Sequence, residues 1–155
     1  IAISPDKSMF AYGVSYASIY GFGTICNRKI EVNTSFEYSP MKIGEISDLP
    51  NDVLRLVPDH ESEKNAISAV GTDEYAVFVY SGRKYNDTKN FGGTNLLLYK
   101  WDGTPYLRME IEDNVTSICY DKDRNVIAGI SYSPEAQLVE YNLNEILLKN
   151  QENHN

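Results

Sequence analysis

The feature that most constrains the fold of this chain is a repeated order of segments: an apolar strand, a short polar turn and a second apolar strand. The order occurs at Ile1 to Ser15, at Asn65 to Ser81 and at Val115 to Tyr132. Val70 and Cys119 stand just before their turns and are 49 positions apart. A period of about 40 to 50 residues is typical of four-stranded propeller blades. The repeat therefore predicts an all-β fold, a β-propeller of four-stranded antiparallel blades, of which this chain covers about two to three.

The predicted strands are of two types, as a stack of blades requires. Tyr75 to Tyr80 is apolar at every position, so both of its faces must be covered, as in a central strand. Tyr106 to Glu112 instead alternates between apolar and charged residues, which is typical of a half-solvated outer strand. Lys29 to Tyr38 alternates in the same way. Its predicted apolar face consists of Ile30, Val32, Thr34, Phe36 and Tyr38.

Three segments give the chain a resemblance to a known family. They are Ser4-Pro5-Asp6-Lys7 before Met9-Phe10-Ala11-Tyr12, Leu98-Tyr99-Lys100-Trp101-Asp102-Gly103, and Val115 to Ile130. With these segments the chain resembles the TolB-like six-bladed β-propeller proteins of Gram-negative bacteria, many of which are exported or lipid-anchored. The resemblance implies a propeller fold and a periplasmic or cell-surface location, and it implies no particular chemistry. No signal-peptide pattern is visible at Ile1.

The repeat also divides the chain. Residues 1–142 are expected to form a partial propeller with blade units at about 1–38, 65–112 and 115–142, joined by an inter-blade connection at 39–64. Residues 143–155 form a C-terminal tail that is either helical or irregular. Because six blades need about 250 to 300 residues, the expected partner is the rest of the propeller, preceding Ile1, or a second chain that closes the ring.

The charge balance narrows the classes of partner. The chain has 14 basic and 22 acidic residues and a net charge of -8. This excess of negative charge disfavours contact with nucleic-acid phosphates and anionic lipids. The apolar runs are too short to span a membrane. The composition therefore argues against a nucleic-acid partner or a membrane span and favours a soluble binding module.

Two long connections are the predicted location of a binding site. In a propeller, the insert from Gly82 to Gly93 and the connection from Pro40 to Lys64 emerge on the same face, and long loops on a rigid scaffold commonly bind ligands. The insert is basic and aromatic, which suits an anionic or sugar-like ligand, with a solvated flexible hairpin as the alternative. The candidate ligand-binding residues, for a protein or glycan ligand, are Arg83, Lys84, Tyr85, Asn86, Asp87 and Phe91. Asp48 to Glu63 has apolar residues at near-helical spacing, which either pack on the blades or offer a capping or partner surface.

Catalytic and cofactor motifs are sparse. His60 and His154 are the only histidines; His60 lies in an acidic loop and His154 in the polar tail, so a Ser/His/Asp or zinc site has almost no histidine to use. Asp121 to Asn125 begins like a calcium loop, but Val126 stands where such a loop needs glycine, so an ordinary turn is predicted there. No metal, cofactor or catalytic residue is therefore assigned. The predicted function is a non-catalytic ligand-binding or protein-interaction scaffold, and the alternative is a carboxylate-dependent hydrolase or lyase acting on carbohydrate.

Three further side chains are predicted to be structural. Cys26 and Cys119 lie among β-forming residues without metal-ligand spacing, which predicts two buried free thiols. Trp101, at the end of a strand, is expected to pack rather than to stack on a ligand.

Overall fold

The structure, a computed structural model, describes residues 1–40, 42–49, 53–87, 91–132 and 135–152. Within these residues the chain forms strands β1 Ala2–Ile3, β2 Met9–Gly13, β3 Ile19–Cys26, β4 Lys29–Glu37, β5 Ile43–Leu49, β6 Val53–Pro58, β7 Ala66–Gly71, β8 Tyr75–Tyr80, β9 Gly93–Lys100, β10 Pro105–Asp121, β11 Val126–Tyr132 and β12 Ala136–Asn142, followed by helix α1 Leu143–Glu152. The strand pairings are antiparallel. The prediction of an all-β, antiparallel protein is confirmed.

The first sheet is a four-stranded meander in the order β1-β2-β3-β4. Its register shifts between β3 and β4, where Phe22 pairs with Thr34 but Gly23 pairs with Val32. A shift of one residue exchanges the two faces of a strand. The predicted single apolar face of Lys29 to Tyr38 is therefore wrong: Phe36 packs in the core, whereas Ile30 and Val32 are 68% and 49% exposed.

The second sheet has six strands in the order β12-β11-β10-β9-β8-β7. Its long strand β10 pairs with β9 through its first part and with β11 through its second part. The sheet curls into a half-barrel, so that the amide of Ile118 in β10 donates to Oγ of Ser68 in β7 at 3.2 Å. The boundary predicted between 65–112 and 115–142 falls inside β10, at the register shift between Glu110 and Val115, and the six strands form one sheet in which blades are not clearly four-stranded.

Two apolar clusters stabilise these sheets. The first lies inside the curl and includes Val77, Val79 and Ile127, all fully buried. The second lies between the two sheets and is largely aromatic: Tyr20 and Phe22 of β3 contact Phe78 of β8. Burying one such side chain stabilises the fold by roughly 1.5–3 kcal/mol. The aromatic cluster therefore holds the four-stranded sheet against the six-stranded one.

The connection at 39–64 contains a β-hairpin formed by β5 and β6. Ile46 pairs with Leu56, and Leu49 pairs with Val53. The described part of Asp48 to Glu63 therefore contains strand β6, although the spacing of its apolar residues is near-helical. An apolar run this short fits a helix or a strand, and the pairing with Ile43–Leu49 selects the strand. Residues 50–52 lie outside the described residues.

The C-terminal tail is helical, which decides between the two predicted alternatives. The side-chain oxygen Oδ1 of Asn142 accepts the amides of Asn144 and Glu145, at 3.0 and 3.4 Å, and so caps the helix. Leu143 and Ile146 are buried in the first cluster, which anchors α1 on the curled sheet. Residues 153–155, including His154, lie outside the described part of the chain.

Both cysteines are free, as predicted, but both are exposed, so the prediction that they are buried is wrong. Cys119 in β10 pairs with Ala128 in β11, and both lie on the face of the sheet opposite to Ile118 and Ile127, which turn inward. Cys26 ends β3 beside a tight turn. Trp101 packs against the aromatic cluster, and its Nε1 donates to the carbonyl of Thr72 at 3.2 Å.

Candidate functional site

The two long connections are joined by backbone hydrogen bonds. The amide of Lys64 donates to the carbonyl of Arg83 at 2.7 Å, and the amide of Gly82 donates to that of Lys64 at 2.8 Å. The amide of Tyr85 donates to the carbonyl of Ser62, also at 2.7 Å. The first part of the insert is thus tied to the segment that leads into β7. Both connections therefore present their side chains beside one another.

Lys64 contacts the insert at two residues, Asp87 and Phe91. It is only 6% exposed, and its ammonium donates to the carbonyl of Asp87. The same ammonium lies 5.5 Å from the centre of the Phe91 ring, within cation–π range. A buried cation needs such partners because desolvation is costly. Lys64 therefore contacts both Asp87 and Phe91, the described residues that precede and follow 88–90 in the sequence; residues 88–90 lie outside the described part of the chain.

These contacts surround a cavity of about 460 Å³, which we call the loop pocket. It is lined by Ser15, Tyr16, His60, Lys64, Ile67, Tyr85, Asn86 and Phe91. The rings of Tyr16 and Tyr85 meet edge to face, with their centres 5.3 Å apart. Phe91 is 69% exposed at the rim. The pocket combines aromatic surface with an imidazole, an amide and an ammonium group, which suits a ligand that is both apolar and polar.

The structure distributes the six predicted ligand-binding residues between two roles. Tyr85, Asn86 and Phe91 line the loop pocket. Arg83 donates to Oδ1 of Asn114 at 3.2 Å, and Lys84 forms an exposed ion pair with Glu61. The carbonyl of Asp87 receives the Lys64 ammonium. Arg83 and Lys84 thus contact protein groups outside the pocket.

The cation of the loop pocket is one that sequence reasoning missed. Lys64 stands at the end of the connection, and its position gave no sign that its side chain turns inward. Tyr16 and His60 were also not assigned to the site. The sequence could have placed Tyr16 near the insert, because the loop that carries it joins β2 to β3 and therefore lies on the same face of a propeller as the insert. The acidic loop around His60 does not indicate a binding role for this side chain.

A second cavity, of about 490 Å³, lies where the two sheets meet, and we call it the tyrosine cleft. Its lining includes Tyr20, Tyr38, Tyr80, Tyr99 and Tyr106, together with Glu63, Leu97 and Arg108. Burial raises the pKa of Tyr20, Tyr80 and Tyr99 above the ordinary value, so these phenols remain neutral at physiological pH. No local sequence pattern indicates this cleft, because it is formed by packing between strands that are distant in the chain.

In the short turns at the opposite ends of the strands, aspartate carboxylates accept hydrogen bonds from neighbouring residues of the same turn. Hydrogen bonds from the Ser4 and Ser8 side chains lower the pKa of Asp6 to about 2. Oδ1 of Asp121 accepts the amides of Asp123 and Arg124, at 3.1 and 3.2 Å, so the segment that begins like a calcium loop is folded as a turn. These carboxylates act as turn-stabilising acceptors.

Among the described residues, no helix combines the length and the apolar character needed to cross a membrane. No protein-family model and no curated protein sequence matches the chain.

Proposed function

We propose that this protein is a non-catalytic binding module that holds a glycan in the loop pocket. The observation that carries the proposal is the convergence of Tyr16, Tyr85 and Phe91 on one cavity with His60 and Asn86. The carbon–hydrogen faces of sugars stack on aromatic rings, and their hydroxyls bond to amides and imidazoles. The backbone bonds between the two connections favour binding, because a preformed site loses little entropy when it is occupied.

We further propose that the scaffold is part of a β-propeller related to the TolB-like proteins, at the periplasm or cell surface. Two observations support the fold. The meander β1–β4 has the order of one blade. The bond between Ile118 and Ser68 puts the starts of the second and third predicted units side by side, as the inner strands of adjacent blades would be. The family relationship and the location rest on the resemblance of the sequence alone.

The test is binding of the purified chain to an array of neutral and uronic-acid oligosaccharides, followed by titration calorimetry with the glycans that bind. Tyr85→Ala and Phe91→Ala each remove one aromatic surface from the pocket. We expect each to weaken binding about tenfold, equivalent to about 1.4 kcal/mol. Tyr132→Ala is the matched control, since Tyr132 is 60% exposed and lines neither the loop pocket nor the tyrosine cleft.

Three results would count against the proposal. An array without bound glycans removes the ligand class, and equal losses in Tyr132→Ala and Phe91→Ala remove the site. The release of new reducing ends from a bound oligosaccharide would replace the binding module with the alternative carbohydrate hydrolase. Thermal unfolding of each variant distinguishes loss of the site from loss of the fold.

A further inference from the structure

The tyrosine cleft is separate from the loop pocket, and the two share no lining residue. Its floor is formed by Tyr20 and Tyr99, which are 2% and 4% exposed. Their rings stack with centres 5.6 Å apart and planes at 30°. Tyr38, 60% exposed, stands at the rim, and its hydroxyl lies 3.2 Å from that of Tyr99. The cleft therefore has a rigid aromatic floor below an accessible opening.

Arg108 is the cation at this opening. Its guanidinium carbon lies 5.2 Å from the centre of the Tyr80 ring, and its Nε donates to Oδ1 of Asn95 at 2.9 Å. These two contacts hold the guanidinium plane. Within the described residues its two terminal nitrogens have no hydrogen-bond partner and no ion pair. A fixed guanidinium with its end open is suited to bind a carboxylate through two parallel bonds.

The remaining charge in the cleft restricts the ligand further. Oε2 of Glu63 accepts the hydroxyl of Tyr80 at 3.4 Å, so a carboxylate stands at the hydroxyl end of the Tyr80 ring. A ligand with a second negative group near Glu63 would be repelled. The neutral phenols offer aromatic surface and hydroxyl groups without adding charge. The tyrosine cleft therefore suits a ligand with a single anionic group that is directed at Arg108.

We propose that the tyrosine cleft binds a small monocarboxylate with a flat apolar ring, the ring lying against Tyr38 and Leu97 and the carboxylate paired with Arg108. A volume of about 490 Å³ falls within the usual range for small-molecule sites. Tyr38 is 60% exposed and Leu97 is partly buried, so both side chains have surface that the ring can contact. This site is independent of the proposed glycan site.

The test uses 3-phenylpropionate and its neutral amide, 3-phenylpropionamide, as matched probes in NMR and calorimetric titrations of the whole chain. We expect the acid to bind about tenfold more tightly than the amide at low salt, with shifts at the Tyr38 and Tyr99 resonances. Arg108→Gln should abolish that preference. Arg28→Gln, an exposed arginine in a turn outside the cleft, should keep it.

Tyr38→Ala examines the apolar half of the site and should weaken the acid and the amide by the same factor. Equal binding of acid and amide, or a preference unchanged in Arg108→Gln, would overturn the role of the carboxylate. The absence of binding at millimolar concentration would overturn the site as a whole. Loss of binding in Phe91→Ala, with Arg108→Gln intact, would assign the probe to the loop pocket and also contradict the proposal.

Discussion

Replacement of Phe78 by alanine should weaken the packing between the two sheets and lower the free energy of unfolding. Phe78 is fully buried, and its ring centre lies 5.2 Å from that of Tyr20 and 5.9 Å from that of Tyr99. Removing a buried phenylalanine side chain costs about 3–5 kcal/mol, since it combines lost burial with a cavity. With a urea dependence of about 2 kcal/mol per molar, the unfolding midpoint should fall by about 1.5–2.5 M.

Urea unfolding followed by circular dichroism measures this shift, with Phe91→Ala as the control. Phe91 is 69% exposed but contacts the Lys64 ammonium, so its loss should lower the free energy of unfolding by about 1 kcal/mol, well below the loss expected for Phe78. Phe78→Leu keeps most of the volume and should cost less than about 1.5 kcal/mol, which provides a folded variant if alanine is not tolerated. A midpoint for Phe78→Ala within experimental error of that for Phe91→Ala would refute the packing of the sheets, and with it the tyrosine cleft.

Three further predictions concern single groups. Asn142→Ala should lower the free energy of unfolding by about 1 kcal/mol in urea, because it removes the cap of α1, whereas Asn142→Asp should keep it. Hydrogen bonds from the Ser4 and Ser8 side chains lower the pKa of Asp6 from its ordinary 3.8 to about 2. The ionised Asp6 should therefore stabilise the fold above pH 4, and this stabilisation should be lost as the pH falls to about 2. Acid unfolding measures the loss, which should be absent in Asp6→Asn. Burial raises the pKa of Tyr20 and Tyr99, so the contribution of these neutral phenols to the stability of the fold should be present below pH 10 and lost above it. Absorbance at alkaline pH should show both side chains ionising only as the protein unfolds.

Local patterns in the sequence predicted two of the strands well. Tyr75 to Tyr80, apolar throughout, coincides with β8, whose first five residues are buried. Tyr106 to Glu112, which alternates, lies in the first part of β10 with the expected alternation of exposure. The spacing of apolar residues and the position of turn residues predict such strands because both depend only on neighbours within a few positions.

The errors arose where a distant partner or a single inserted residue decides the outcome. Asn33 is the extra residue in the register between β3 and β4, and it exposes Ile30 and Val32 although their spacing predicted burial beside Phe36. The hairpin of β5 and β6 depends on pairing that its apolar spacing does not encode. Cavities are harder still to predict, since the tyrosine cleft joins Tyr20 to Arg108, which are far apart in the chain.

One short segment separates the two proposed sites. Glu63 lines the tyrosine cleft, whereas its neighbour Lys64 lines the loop pocket. In extended backbone, successive side chains point to opposite sides, and Glu63 forms an isolated β-bridge with Lys84 here. The amide of Asn65 also donates to the carbonyl of Ser15 at 2.7 Å, which ties the segment to the first sheet. Because backbone bonds position both side chains, substitution of either side chain alters one site and leaves the framework of the other in place. The glycan and carboxylate proposals can therefore fail or succeed separately.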